Sequence, residues 1–262
     1  MEIIVCIKQV PDTATVRFDK EKGTIIREGV ESIINPPDLH ALEAGLSIKD
    51  QVGGKVTLIT MGPPQAETAL RDGLSRGADA AVLISDRAFA AADTLATTYT
   101  LLKAIQKIGI PDLILCGTHA IDGDTAQVGP GLAARLGWPS ITQVAGLELL
   151  DNGDKLKLKR LIEQGYETVE TGLPALLTCH KTLNTPRVVS LKAKIRAKKT
   201  EIPIWGAEDI GADLSKVGVQ GSPTWVDSTY VPSFEAKKEM LQGSAEEQVD
   251  ALVKRLKESG IL

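Results

Sequence analysis

Two kinds of segment alternate along the first half of the chain. Short Val/Ile/Leu-rich runs at residues 3–7, 55–60, 80–84 and 112–116 carry apolar residues at consecutive positions. Such runs read as strands covered on both faces. Between them, apolar residues recur at helical spacing. Ala66, Ala69, Leu70, Gly73 and Leu74 share one helix face, and Gly77 supplies the stop. Asp93 is placed to N-cap a helix carrying Leu95, Tyr99, Leu102 and Ile105, which Gly109-Ile110-Pro111 ends. Asp38 is placed to cap another through Leu39, Leu42 and Leu46. Strand–helix alternation at this spacing predicts an α/β fold with a doubly wound parallel sheet.

The pattern changes after Pro139. Residues 147–150 and 155–161 flank Asp151-Asn152-Gly153-Asp154, and Asn-Gly is a strong hairpin signal. Lys155, Lys157 and Lys159 alternate with Leu156 and Leu158, as on a half-exposed strand. Residues 166–171 and 175–179 read as two further strands, so this part is expected to be an antiparallel addition. Regularity fades over residues 200–243. A compact domain seldom holds so long an irregular stretch, and an extended arm lying on another chain fits it better. Ser244 and Glu247 then form a capping box ahead of Val249, Leu252, Val253 and Leu256. The expected division is an α/β domain over 1–200 and a C-terminal arm and helix over 201–262.

Composition narrows the function. The 262 residues are 43% hydrophobic with a net charge of −4, which excludes a disordered chain. No run approaches the ~18 apolar residues of a membrane span. Three Trp, three Tyr and three Phe are too few for a base-stacking platform. Cys6, Cys116 and Cys179 form no CxxC, so neither a disulfide framework nor a zinc site is expected. Met1 leads directly into an apolar strand too short for a signal sequence, and a reduced cytoplasmic protein is expected.

Ligands of parallel α/β sheets bind outside the carboxyl ends of the strands. Those ends carry Lys8-Gln9-Val10-Pro11-Asp12, Met61-Gly62-Pro63-Pro64, and Gly117-Thr118-His119-Ala120-Ile121-Asp122-Gly123-Asp124-Thr125-Ala126-Gln127-Val128-Gly129-Pro130-Gly131. In the last loop Asp124 or Thr125 is expected to start a helix through Val128, Leu132, Ala133 and Leu136. Its N-terminus would suit a phosphate, with Gly123 allowing close approach and Thr125 adding a hydroxyl. The same loop is equally readable as an ordinary Asp/Gly turn with an N-cap. It carries neither GK[ST] nor GxGxxG. Gly73-Leu74-Ser75-Arg76-Gly77 matches GxSxG but closes a helix, so Ser75 is not expected to be a nucleophile. His119 lies near Asp122 and Asp124 without metal-ligand spacing, and reads as a polar loop residue. Lys192, Lys194, Arg196, Lys198 and Lys199 read as a solvated strand face or a surface for an acidic partner. No metal site is expected.

Several separated motifs, in order, resemble the β subunit of electron-transfer flavoproteins along nearly the whole chain. They are Val5 through Asp12, Asn35-Pro36 before a helix, Arg160 through Gly165 with Glu167, Pro174 through Thr178, and Leu183-Asn184 with Pro186-Arg187. The resemblance implies a Rossmann-like, adenine-nucleotide-binding domain. One branch of that family holds AMP; the electron-bifurcating branch holds FAD instead. Asp122 through Pro130, Gly221-Ser222-Pro223-Thr224 and Ile202-Pro203 resemble the bifurcating version. Small residues at Gly123 and Ala126 agree with a larger cofactor.

The resemblance implies FAD here and a second FAD on an α-subunit partner. Electrons from NAD(H) would be divided between ferredoxin or flavodoxin and a flavin dehydrogenase, such as an acyl-CoA or lactate dehydrogenase. NADH oxidation is then expected only in the flavoprotein complex. Nucleotide contacts are implied for Cys6, Asn35, Pro36, Met61 and each residue from Gly117 to Val128, with Asp122 and Thr125 foremost. Residues 179–191 resemble the family's segment for recognising a dehydrogenase; Leu191 resembles the apolar anchor of the simple branch, from whose loop His180 and Lys181 depart. The alternative is a simple carrier with AMP in place of FAD. An ATP-binding regulator or an ATP pyrophosphatase of similar fold fits less well, since neither class's phosphate loop is present.

Overall fold

The computed structural model describes residues 1–12, 17–19, 24–26, 32–228 and 238–262. The chain divides into two compact units, Met1–Asp227 and Ser228–Leu262.

The first unit is built on a nine-stranded sheet. Its early elements are β1 (Glu2–Cys6), two short antiparallel pairs, α1 (Pro36–Val52), β6 (Lys55–Met61), α2 (Glu67–Arg76) and β7 (Ala80–Ile84). The two pairs are β2 (Gln9–Pro11) with β5 (Ser32–Ile34), and β3 (Arg17–Asp19) with β4 (Thr24–Ile26). There follow α3 (Thr94–Ile108), β8 (Leu113–Gly117), α4 (Val128–Leu136), β9 (Ser140–Leu150), β10 (Lys155–Ile162), β11 (Gly165–Gly172), β12 (Ala175–Cys179), α5 (Leu191–Lys199) and β13 (Ile204–Trp205). The strand order is β11-β10-β9-β12-β8-β1-β6-β7-β13. From β9 to β13 every pairing is parallel. The fold is the expected α/β class with a doubly wound sheet.

Strand pleating sends alternate residues to opposite faces. Ile3, Val5 and Leu58 pack with Leu42, Leu46 and Leu70 of α1 and α2. Ile4, Ile59 and Ile114 pack with Leu101, Ile105 and Leu132 of α3 and α4. Both faces are therefore covered, which is why the central strands carry unbroken apolar runs.

Several helix ends follow the sequence. Asp93 caps α3 by accepting from the Leu95 and Ala96 N–H groups, and Gly77 and Gly109 close α2 and α3. In the second unit, α6 (Ala245–Glu258) opens on the capping box of Ser244 and Glu247.

Other elements differ. The antiparallel addition is only β10 and β11, because β9 and β12 pair in parallel and extend the main sheet. Residues 191–199, with their alternating bases, form a helix rather than a strand. Ser190 caps it, Ala197 is buried, and Arg71 donates to the Ala197 and Thr200 carbonyls at its end. Asp38 does not cap α1: the helix starts at Pro36, and Asp38 lies inside its first turn. Residues 204–222 belong to the first unit, which runs past the boundary expected at 200. Ile204 and Trp205 extend the sheet edge, and Ala207, Ile210 and Val217 are buried against its α3 face.

Among the described residues no helix is long and apolar enough to cross a membrane.

Candidate functional site

β1 lies between β6 and β8, and the chain leaves it first on one side and later on the other. The carboxyl ends of β1 and β8 thus flank the switch point at which such sheets bind ligands. The start of α1 ties these two ends together. Asn35 is fully buried; its amide Nδ2 donates to the His119 carbonyl at 2.8 Å, and its Oδ1 accepts from the Ile121 N–H at 3.1 Å. Asp38 accepts from the Lys8 N–H at 2.7 Å and the Gly117 N–H at 3.1 Å. This closeness demands glycine at 117, since a Cβ there would lie 2.3 Å from Asp38 Oδ1. Burial pushes the Asp38 carboxyl up to about 7, against the opposing pull of Asn35 and the two N–H donors.

The loop after β8 does not start a helix at Asp124 or Thr125; α4 begins at Val128. Asp124 (φ 50°) and Ala126 (φ 55°) adopt left-handed backbone, and Thr125 between them does not. Alternation of this kind turns successive N–H groups toward one side, a concavity suited to anions. Among the described residues, the N–H groups of Thr125, Ala126, Val128 and Gly129 meet no acceptor. Gln127 Oε1 accepts from the Thr94 hydroxyl at 2.8 Å, which joins the starts of α3 and α4.

These elements enclose a cavity of about 1180 Å³. Of the sequence-predicted contacts, Cys6, Met61, Gly117, Thr118, His119, Ala120 and Gly123 through Val128 line it. Asn35, Pro36, Ile121 and Asp122 do not. Asn35 holds the loop from behind, while Asp122 pairs with Lys8 Nζ at 2.7 Å. His119 Nε2 lies 3.7 Å from Asp124 Oδ1, and its Nδ1 meets the Thr118 hydroxyl at 2.9 Å. Ser75 is buried within α2, where its hydroxyl donates to the Asp72 carbonyl.

Sequence reasoning missed a whole wall of the cavity. Residues 85–87 and 89–94, after β7, line it together with Thr224 and Val226. The strand-end rule that picked out the loops after β1, β6 and β8 applies equally to β7 and would have found residues 85–94. Thr224 ends the Gly221-Ser222-Pro223-Thr224 run that resembles the bifurcating version, but no nucleotide contact was expected from it. Asp93 caps α3 and also accepts from Thr224. Burial raises its carboxyl, but the Ala96, Leu95 and Thr224 donors outweigh burial and hold it below the ordinary value. Cys6 and Cys116 sit at the cavity floor. Cys116 is pushed well above the usual thiol range by its hydrogen bond with Cys6 and by burial.

Residues 180–191 leave the end of β12 and run along α1. His40 Nδ1 meets Asn184, and Arg187 clasps Glu43 at 2.9 Å. Beyond these fixed points Val188 is 94% exposed, and Leu191, at the start of α5, 75%.

A parallel sheet with a crevice of free N–H groups at its switch point is the architecture shared by nucleotide-binding α/β proteins. Residues 22–210 match the electron transfer flavoprotein domain, and the chain belongs to that family. It is 51% identical over 257 residues to the electron transfer flavoprotein subunit beta of Thermoanaerobacterium thermosaccharolyticum, covering 98% of each chain. It is 48% identical over 260 residues to protein FixA of Azorhizobium caulinodans, covering 97% of this chain and 92% of FixA. Identity is also 48% over 264 residues to the caffeyl-CoA reductase-Etf complex subunit CarD of Acetobacterium woodii, covering 100% of both.

Proposed function

We propose that this chain is the FAD-binding β subunit of an electron-bifurcating flavoprotein. The observation that carries the reading is the cavity. At about 1180 Å³ it exceeds the ~300–1,000 Å³ of common small-ligand pockets. It also extends from the loop after β8 to the loop after β7, which suits a dinucleotide better than AMP.

The residues fit that group. The free N–H groups of Thr125, Ala126, Val128 and Gly129 would face a diphosphate, aided by the start of α4. A Cβ at Gly123 would meet nothing within 4 Å, so the backbone is open to approach there. Arg87 on the cavity wall adds positive charge, while Lys8 there is held by Asp122. FAD, when bound, supplies one- and two-electron exchange, and the chain positions it and excludes water.

In this reading an α subunit carrying its own FAD pairs with the chain, NAD(H) is the donor, and ferredoxin or flavodoxin is one acceptor. The other is a flavin dehydrogenase. The name of CarD as a subunit of a reductase–Etf complex supports that class of partner. Exposed Val188 and Leu191, on a segment pinned at Asn184 and Arg187, provide an apolar contact for it.

Flavin released by acid from the purified heterodimer tests the assignment. Two FAD per αβ pair is the expected result. One FAD, with AMP in this chain, would make it a simple carrier.

A further inference from the structure

The outer wall of the cavity is made by a stretch of chain far from the sheet's own loops. Residues 218–226 fold back over the start of α3 through a set of short polar contacts. The Asp93 N–H donates to Ser222 Oγ at 2.8 Å, and the Ser222 hydroxyl donates to the Gly218 carbonyl at 2.7 Å. Asp93 Oδ2 accepts from the Thr224 hydroxyl at 2.9 Å and from the Thr224 N–H at 3.3 Å. Its other oxygen, Oδ1, caps α3.

The approach is close. Gly218 has φ +54°, and a Cβ there would lie 2.1 Å from the Ala88 carbonyl oxygen. Asp86, at the other end of the same loop, accepts from the Ala207 N–H at 2.9 Å. The 85–94 loop is therefore held to the later chain at both ends by a carboxylate. The outcome is that Thr224 and Val226 line the cavity beside the start of α3, which Thr94 joins to Gln127 in the donor loop.

We propose that Asp93 is a positioning residue for the cavity's ligand: it latches residues 222–226 as a wall that retains the bound nucleotide cofactor. One side chain thereby fixes both the start of α3 and the chain that closes the site. The proposal takes the cavity as the cofactor site, as argued above, but does not depend on which nucleotide fills it. A wall of this kind acts on escape of the ligand. Loosening it raises the dissociation rate and leaves the association rate unchanged or faster.

The test uses full-length chain freed of flavin, with FAD and AMP as separate probes. Ser222→Ala/Thr224→Val removes the two hydroxyls and keeps the Asp93 cap on α3 intact. Stopped-flow fluorescence should show FAD dissociating about tenfold faster, the factor that corresponds to loss of roughly one charge-assisted hydrogen bond. Thr224→Ser, which keeps a hydroxyl, should restore the parent rate. Amide exchange across residues 222–227 should slow on FAD binding in the parent and not in the double variant. Unchanged dissociation and unchanged exchange in the double variant would overturn the latch. So would equal loss of association and dissociation rates with no rescue by serine. If the parent binds AMP and not FAD, the cofactor assignment fails instead, and the same comparison of dissociation rates with AMP decides the latch.

Discussion

Replacing Asn35 with alanine asks whether one buried side chain holds the donor loop. Its amide satisfies the His119 carbonyl and the Ile121 N–H, and both bonds vanish in the variant. Leaving a buried backbone group unpaired costs about 1–3 kcal/mol. The loop is only part-buried, so water reaches it, and the lower half of that range applies. Two groups then give about 2–4 kcal/mol. In a chain of this size each kcal/mol moves Tm by about 2–4 °C, so Asn35→Ala should lower it by roughly 5–15 °C. The ligand-induced rise in Tm at fixed FAD should shrink as well, because the disordered loop carries the free donors. Asn35→Asp should do at least as much harm, since it turns a carboxylate oxygen toward the His119 carbonyl. Thermal melts followed by far-ultraviolet circular dichroism, with and without FAD, measure both effects. A variant that melts within about 1 °C of the parent and keeps the full FAD response would refute the reasoning.

Asp38 gives a pH prediction. Its folded value of about 7 lies above the ~3.9 of an unfolded aspartate, so the folded state holds the proton more tightly. Its stabilising contribution is complete below about pH 4 and is lost as pH rises through 7. Asparagine forfeits one of the two N–H acceptors at every pH, but the stability of Asp38→Asn minus that of the parent should rise from pH 5 to 8 in urea titrations; parallel curves would sink the idea. Asp122→Asn breaks an exposed pair worth about 0–1 kcal/mol and frees Lys8 beside the cavity. Its FAD affinity, read by fluorescence quenching, should hold or rise, and a clear loss would return Asp122 to the ligand contacts. Truncation after Asp227 should leave cooperative melting of the first unit intact. Truncation after Pro203 should abolish it, because Ala207, Ile210 and Val217 leave the core. Equal melting curves for the two truncations would contradict this.

The sheet was readable because its central strands are covered on both faces and so carry unbroken apolar runs. The caps at Asp93 and Ser244 were readable because capping is local. Asp38 misled for the same local reason: its type and position fit a cap, but a distant partner, Gly117, recruits it. The bases of α5 misled because alternation over so few residues fits a strand as well as a helix, and burial of Ala197 decides. The donor loop was found by its place after a strand. Its left-handed residues, Asp124 and Ala126, are non-glycine types that no pattern marks. The contact of Asp93 with Thr224 joins residues 131 apart in the chain, and no periodicity encodes it.

All three cysteines are buried. Burial lifts Cys179 to about 12, and Cys116 also lies well above the usual range. The surface accordingly offers no native thiol. A cysteine introduced at Trp225, which is 77% exposed between the two cavity-lining residues Thr224 and Val226, would be the one thiol open to bulk water. A fluorophore attached there would report directly on the wall of the cavity, with no need to remove the natural cysteines first.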